Sequence, residues 1–222
     1  MGKIDTIIFD IDGTLIDTKE LYGASYSFAF EKLTGKKYSL EEIIKLNHST
    51  EKKALNQILD EQQMRACTYV FYQFYEQNYD NLVKFYPGVK EILLDLNDFG
   101  FKMGIFTGKS YFTANLSLKK AKLDGWFNVL VTEKDYLNSK PNPEGLVLAL
   151  KKLDSNPENS IYIGDAFLDF LVARNCGAFF GVALWGSEEK EKIIEAQPDF
   201  LFKNPEEILS QLRSYNERSF DL

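Results

Sequence analysis

The sequence predicts an α/β fold, in which a parallel β-sheet lies between layers of helices and a helical segment interrupts the chain after the first strand. Three observations predict it. Residues 6–11 form a short apolar run without alternation, which is typical of a strand buried on both faces. Residues from about 17 to 85 read almost wholly as helix. From residue 88 onward, strand patterns alternate with helix patterns.

The elements after residue 88 follow one another in a regular order. The predicted strands are 102–107, 128–132, 160–164, 179–184 and a short one at 199–202, and the predicted helices are 88–99, 111–121, 143–152, 167–175 and a last one from about 205. Such alternation indicates right-handed βαβ units and a parallel sheet. We therefore expect an α/β core made of residues 1–16 and 86–222, and a helical domain made of residues 17–85.

The helical segment carries its own local signals. Asp17 with Glu20, and Ser39 with Glu42, have the spacing of a capping box, and Gly35 is suited to end the first helix. Aromatic residues recur later at helical spacing, and such a stripe predicts packing in a core rather than stacking on a ligand. These are Tyr69, Phe71, Tyr72, Phe74 and Tyr75.

Composition excludes several classes of protein. The 222 residues carry 26 basic and 33 acidic side chains, a formal charge of −7, and 45% are hydrophobic. This balance excludes a disordered chain and argues against general nucleic-acid binding. No apolar run approaches a membrane span, and the N-terminus does not read as a signal peptide. Cys67 and Cys176 have no paired ligand spacing, so we expect a cytoplasmic protein without a membrane partner.

Carboxylates follow two of the predicted strands. Asp10 and Asp12 come at the end of the first strand, and Asp165 and Asp169 follow strand 160–164. Ligand sites of open α/β sheets lie beyond the carboxyl ends of the strands, so these side chains are expected to converge. Four carboxylates in one crevice repel each other. Lys140 offsets one charge, and a hard divalent cation with oxygen ligands, Mg²⁺ above all, would offset two more.

Other groups near these strand ends suit an anion. Thr107 offers a hydroxyl, Gly108 lets backbone N–H groups approach an oxygen closely, and Lys140 supplies a positive charge. Together with a metal they describe a phosphoryl site. Lys109 contacts the substrate or is a solvated surface lysine, and both readings stay open. A nucleotide phosphate loop is rejected because only three residues, instead of four, separate Gly104 from Gly108.

These motifs resemble those of a known enzyme family. The run 9–15, Phe-Asp-Ile-Asp-Gly-Thr-Leu, resembles the first motif of the haloacid dehalogenase superfamily of phosphohydrolases, and Thr107, Lys140 and the segment 164–169 match its other three motifs in order. The resemblance covers essentially the whole chain and points to the phosphoglycolate-phosphatase-like branch. It implies a Rossmann-like core, and it implies that the inserted helical segment is the cap domain of that superfamily.

The resemblance also implies a role for each residue. Asp10 would be the nucleophile that forms an aspartyl-phosphate, and Asp12 would be the general acid and base. Mg²⁺ would be held by Asp10, Asp12 (through its carbonyl), Asp165 and Asp169. The groups expected to cradle the phosphoryl group are Thr107, Gly108 and Lys140, of which Thr107 and Lys140 count as catalytic as well. Apart from the resemblance, Lys109 stays a candidate for binding the substrate or its phosphate.

The expected activity is therefore Mg²⁺-dependent hydrolysis of a small phosphorylated metabolite by a monomer or homodimer, without nucleic acid. Asp12 argues against dehalogenation, which needs no second carboxylate. A β-phosphoglucomutase-like mutase is disfavoured because Tyr22 stands where the mutase pattern has histidine. A phosphonoacetaldehyde hydrolase, a pyrophosphatase and a binding protein that lost catalysis stay open. His48, the only histidine, fits a surface turn better than a cap loop over the substrate.

Overall fold

The computed structural model of the chain describes residues 3–39, 42 and 60–218. The chain divides into two compact units, one made of Met1–Asp17 with Phe85–Leu222 and the other of Thr18–Lys84. Within the described residues, no helix has both the length and the apolar character needed to cross a membrane.

The first unit is built on a parallel sheet, so the predicted fold class is confirmed. Its strands are β1 (Thr6–Phe9), β4 (Lys102–Phe106), β5 (Val129–Val131), β6 (Ser160–Gly164), β7 (Phe179–Ala183) and β8 (Phe200–Phe202). Among the residues described, these six pair in the order β5-β4-β1-β6-β7-β8. All residues of β1 and β6 are buried, as expected of central strands covered by helices on both faces.

Helices connect these strands at nearly the predicted positions. They are α3 (Val89–Asp98), α4 (Tyr111–Ala121), α5 (Glu144–Lys152), α6 (Phe167–Cys176), α7 (Lys190–Glu195) and α8 (Glu207–Arg218). The short helix α7 was not predicted, because six residues hold too few turns to show a period. Strand β1 ends at Phe9 instead of residue 11, because the chain turns there and the Ile11 carbonyl accepts N–H groups from Leu15 and Ile16 at 2.8 and 3.1 Å.

Aromatic and aliphatic side chains lock the middle of the sheet to the helices on one face. Phe106 of β4, Tyr162 of β6 and Phe180 of β7 are fully buried in one cluster with Leu146 of α5 and Val172 of α6. Each such side chain stabilises the fold by about 1.5–3 kcal/mol through burial. The carboxyl ends of β4, β1 and β6 are thereby held side by side on a rigid support.

The second unit contains α1 (Lys19–Thr34) and α2 (Glu61–Leu82). Asp60 begins α2 with a capping box to Gln63, and Gly35 ends α1 with a φ of 69°. The expected capping pair Asp17 and Glu20 is wrong, because α1 begins after Thr18 and no side chain caps it. Ser39 and Glu42 do exchange the two bonds of a capping box, at 2.7 and 3.2 Å.

Aromatic packing joins the two helices of the second unit. The rings of Tyr26 and Phe71 lie 4.5 Å apart, and Phe71 and Tyr75 are buried. Tyr69 differs from the prediction, since it is 63% exposed. His48 lies outside the described residues. At the two ends of the unit, the chain forms the short strands β2 (Ile16–Asp17) and β3 (Lys84–Phe85), which pair in a separate sheet.

Candidate active site

The sheet order decides which strand ends meet. β1 pairs in parallel with β4 on one side and with β6 on the other, with Phe9 opposite both Ile105 and Ile163. The residues that follow these strands therefore start from neighbouring points at one edge. The Asp10 N–H donates to the Ile163 carbonyl at 2.9 Å, which extends this register by one residue.

Three of the four predicted carboxylates meet at this edge. Asp10, Asp165 and Asp169 each offer an oxygen atom within 4.8 Å of the other two. Burial, followed by the like charges of the neighbouring aspartates, raises the pKa of Asp10 to about 6 despite the opposing effect of Lys140. Burial and the same neighbours raise the pKa of Asp165 well above its ordinary value. The cluster is therefore short of positive charge.

Lys140 supplies part of that charge. Its Nζ lies 2.7 Å from Asp169 Oδ1 and 3.3 Å from Asp10 Oδ2, and its side chain is 9% exposed. Burial by itself would lower the pKa of Lys140, but the carboxylates of Asp10 and Asp169 outweigh it and raise the pKa overall. Lys140 is therefore a fixed cation between two members of the cluster.

A residue that sequence reasoning missed completes this arrangement. The Tyr162 hydroxyl accepts a hydrogen bond from Lys140 Nζ at 2.7 Å and lies 3.1 Å from both Asp169 Oδ1 and the Phe106 carbonyl. Burial, together with Asp169 and Asp10, raises the pKa of Tyr162, so the phenol stays protonated. The one available signal in the sequence was the phenol of Tyr162 between two isoleucines of the strand Ser-Ile-Tyr-Ile-Gly.

The fourth predicted carboxylate, that of Asp12, pairs with a different lysine. Lys109 Nζ lies 2.8 and 2.9 Å from the two carboxylate oxygens of Asp12. The Lys109 side chain is 3% exposed, whereas that of Asp12 is 40% exposed. The reading of Lys109 as a solvated surface lysine is therefore wrong, and sequence could not exclude it because the burial comes from the fold.

Thr107 and Gly108 lie at the end of β4, as expected. Thr107 is 1% exposed, and its side chain hydrogen-bonds Asp10, which acts to lower the pKa of that carboxyl. A side chain added at Gly108 would meet no other atom within 4 Å. The space beside Gly108 is open, which leaves room for a ligand next to Thr107.

A tight turn after β1 carries Asp12 and packs against Asp165. Gly13 adopts a φ of +70°, and a side chain on it would overlap the Asp165 carboxylate. Gly186 packs just as closely against the Gly13 carbonyl, and the Trp185 indole donates to the Thr14 carbonyl at 2.9 Å. This turn therefore tolerates no side chain at Gly13.

The loop that carries Lys140 is held by a residue that the sequence did not single out. The Glu144 carboxylate accepts the N–H groups of Leu137 and Asn138, both at 3.0 Å, and the Asn138 amide at 2.8 Å. The Leu137 and Asn138 N–H bonds and the Asn138 amide lower the pKa of Glu144. At the far side of the loop, the Asn175 amide donates to the Pro141 carbonyl at 3.0 Å. These bonds set the point from which Lys140 reaches the cluster.

The residues at this edge fit a divalent cation. Asp10, Asp12, Asp165 and Asp169 carry four negative charges when ionised, and Lys109 and Lys140 carry two positive ones, which leaves a formal excess of two. Oxygen donors and an unbalanced charge of this size are what Mg²⁺ requires. Asp10, Asp165 and Asp169 are the side chains placed to hold such an ion.

Comparisons with known proteins agree with this geometry. Residues 7–183 match the model of the haloacid dehalogenase-like hydrolases. The chain is 32% identical over 214 residues to pyrophosphatase PpaX of Bacillus thuringiensis and to that of Bacillus cereus, covering 96% of this chain and 99% of each relative.

Solved structures agree as well. A hydrolase from Pseudomonas syringae superimposes with a TM-score of 0.78 at 27% identity, covering 94% of this chain and 98% of that one. A predicted phosphoglycolate phosphatase from Haemophilus somnus superimposes with a TM-score of 0.80 at 22% identity, covering 95% and 98%, and supports the fold.

Proposed function

The chain belongs to the haloacid dehalogenase-like hydrolases, and from this premise we propose that it is a Mg²⁺-dependent phosphatase that hydrolyses a small phosphorylated metabolite through an aspartyl-phosphate. The observation that carries the proposal is the convergence of Asp10, Asp165 and Asp169, at the ends of the adjacent strands β1 and β6, with the Lys140 ammonium. Such convergence of paired charges is needed for phosphoryl transfer, in which catalysis is chiefly positioning and charge neutralisation.

In the first step, a carboxylate oxygen of Asp10 forms a bond to phosphorus while the bond from phosphorus to the leaving oxygen breaks. Asp12 gives its proton to that leaving oxygen. The Asp10 carboxylate is oriented for attack because Oδ1 accepts the Ile11 N–H at 2.8 Å and Oδ2 faces Lys140 at 3.3 Å. Lys140 and Thr107 stand beside the phosphoryl oxygens that gain charge.

In the second step, water attacks the phosphorus of the aspartyl-phosphate and the bond to Asp10 breaks. Asp12, now ionised, takes the proton of that water, so that inorganic phosphate leaves and both aspartates return to their starting states. A bound Mg²⁺, held by Asp10, Asp165 and Asp169, would supply charge neutralisation to the phosphoryl group. The unit Thr18–Lys84 would serve as the cap that selects the leaving group.

A phosphate-release screen tests the proposal. Wild-type protein is assayed on phosphomonoesters with Mg²⁺ and with EDTA, beside the Asp10→Asn variant and an Asp95→Asn control from the exposed face of α3. We expect release that needs Mg²⁺ and falls at least about a thousandfold in Asp10→Asn. Release by that variant at the wild-type rate would exclude the covalent scheme.

A second substrate is favoured by one specific observation, the 32% identity to two pyrophosphatases over nearly the whole chain. Inorganic pyrophosphate offers the same terminal phosphoryl group with phosphate as the leaving group, so the same residues would act on it. Including pyrophosphate in the screen separates the two substrates, since a pyrophosphatase would show a kcat/KM for it well above that for every monoester.

A further inference from the structure

Lys109 stands in a position that phosphate binding does not explain. Its ammonium lies within 2.9 Å of both carboxylate oxygens of Asp12, and its side chain is 3% exposed. A buried lysine is tolerated only when a partner compensates its charge. Both oxygens of Asp12 face the same ammonium, so the Asp12 carboxylate has a defined place and direction.

The two lysines of the site divide its carboxylates between them. Lys140 contacts Asp10 and Asp169, which belong to the three-carboxylate cluster. Lys109 contacts Asp12, which lies only two residues from Asp10 in the sequence. Lys109 therefore pairs with the carboxylate that would serve the leaving group, and Lys140 pairs with two of those that would hold the metal.

The backbone of Lys109 is fixed before any ligand binds. Its N–H faces Thr107 Oγ1 at 3.4 Å, and its carbonyl accepts the Glu133 N–H at 3.1 Å. Asp12, by contrast, is 40% exposed on its other side. Because Lys109 is buried and Asp12 is partly exposed, the Asp12 carboxylate remains accessible to a leaving group.

We propose that Lys109 is a positioning residue for Asp12, which fixes the carboxylate where it serves the leaving group, and that it does not bind the transferring phosphoryl group. This inference rests on the proposed phosphatase function. It replaces the expectation from the sequence that Lys109 binds the substrate or its phosphate. Loss of Lys109 should therefore lower kcat most for substrates whose leaving oxygen must be protonated.

The test compares two substrates in the Lys109→Met variant. β-Glycerol phosphate has an alkoxide leaving group that needs a proton, whereas p-nitrophenyl phosphate has a phenolate that leaves without one. We expect kcat for the first to fall by about a hundredfold, in the range for a lost general acid, while kcat for the second falls less than about threefold. Lys119→Met, an exposed lysine on α4, is the matched control.

Two further measurements separate positioning from phosphate binding. Inorganic phosphate, titrated into wild type and Lys109→Met by calorimetry in the presence of Mg²⁺, should bind with the same affinity. In an Asp12→Asn background, Lys109→Met should cause no further loss on β-glycerol phosphate, because the group that it positions is already gone.

The outcomes are distinct. Equal losses on both substrates, with weaker phosphate binding, would overturn the inference and make Lys109 a phosphate ligand, while the proposed function would stand. A wild-type protein that releases phosphate from no substrate would overturn the proposed function and the inference with it. If Lys109→Met does not fold, as judged by thermal unfolding, Lys109→Gln is read by the same criteria.

Discussion

The hydroxyl of Tyr162 and the ammonium of Lys140 lie 2.7 Å apart, at the point where β6 passes beneath the carboxylate cluster. The same hydroxyl lies 3.1 Å from Asp169 Oδ1, which Lys140 also contacts at 2.7 Å. Tyrosine, lysine and aspartate thus form a closed triangle of hydrogen bonds. The buried ring of Tyr162 connects this triangle directly to the hydrophobic core.

Replacing Tyr162 with phenylalanine should loosen Lys140 without removing it. We expect kcat for phosphate release to fall by about tenfold and the free energy of unfolding to fall by about 1–2 kcal/mol, because buried hydrogen-bonding groups lose their partner. Steady-state kinetics and thermal unfolding measure the two effects. Tyr69→Phe, at a residue that is 63% exposed, is the control. An unchanged kcat would show that Lys140 needs no support from Tyr162.

Gly13→Ala should lower activity strongly because the added methyl group would overlap the Asp165 carboxylate, in addition to straining the backbone. Gly13 and Gly35 have nearly the same φ, 70° and 69°, but only at Gly13 would a side chain meet the Asp165 carboxylate. Each alanine should cost about 1–2 kcal/mol for its left-handed backbone. Only Gly13→Ala should also lose at least about a hundredfold in kcat, since it displaces a residue of the site. Equal activity of the two variants would contradict this explanation.

Glu144→Gln should affect the loop that carries Lys140. A neutral amide has one acceptor oxygen where the carboxylate has two, so it can no longer accept the Leu137 and Asn138 N–H groups on separate oxygens. We expect kcat to fall by about fivefold with the fold intact, because Lys140 shifts slightly from the cluster. Glu158→Gln, at an exposed residue away from this loop, is the control.

The same contacts give a pH dependence. The hydrogen bonds that Glu144 accepts lower its pKa. The order that it gives to the loop is therefore present above the ordinary glutamate pKa and is lost as pH falls through the lowered value. Hydrogen exchange of the Leu137 N–H measures the order of the loop. We expect the acid-dependent loss of this order in the wild type and not in Glu144→Gln.

Metal-free protein should lose stability as the pH rises from about 4 to about 6. Asp10 has a pKa raised to about 6 in the fold, above its value of 3.8 in the unfolded chain. The folded protein therefore binds more protons than the unfolded one in this range, and its stability falls as pH rises through it. Asp165, whose pKa is also raised, acts in the same direction.

Mg²⁺ should reverse this trend, because it binds the ionised carboxylates and competes with protons. At one hundred times Kd, a ligand stabilises the fold by about 2.7 kcal/mol. We therefore expect a rise in Tm of roughly 5–10 °C at pH 7.5, and a much smaller rise at pH 5. In Asp10→Asn the difference between the two pH values should shrink. An equal shift of Tm at both pH values would contradict a metal site at Asp10.

The sequence by itself determined the parallel sheet, the place of the helical segment and the strand ends at which polar residues gather. These follow from apolar runs, helical periods and chain order, which are local properties. The fates of Asp12, Lys109 and Tyr162 were decided only by the tertiary structure. Whether a lysine three residues past a strand is solvated or buried against an aspartate depends on which strands are neighbours. Tyr162 of a strand contacts Lys140 of a loop only because of how the elements pack across the sheet. No local sequence pattern encodes that packing.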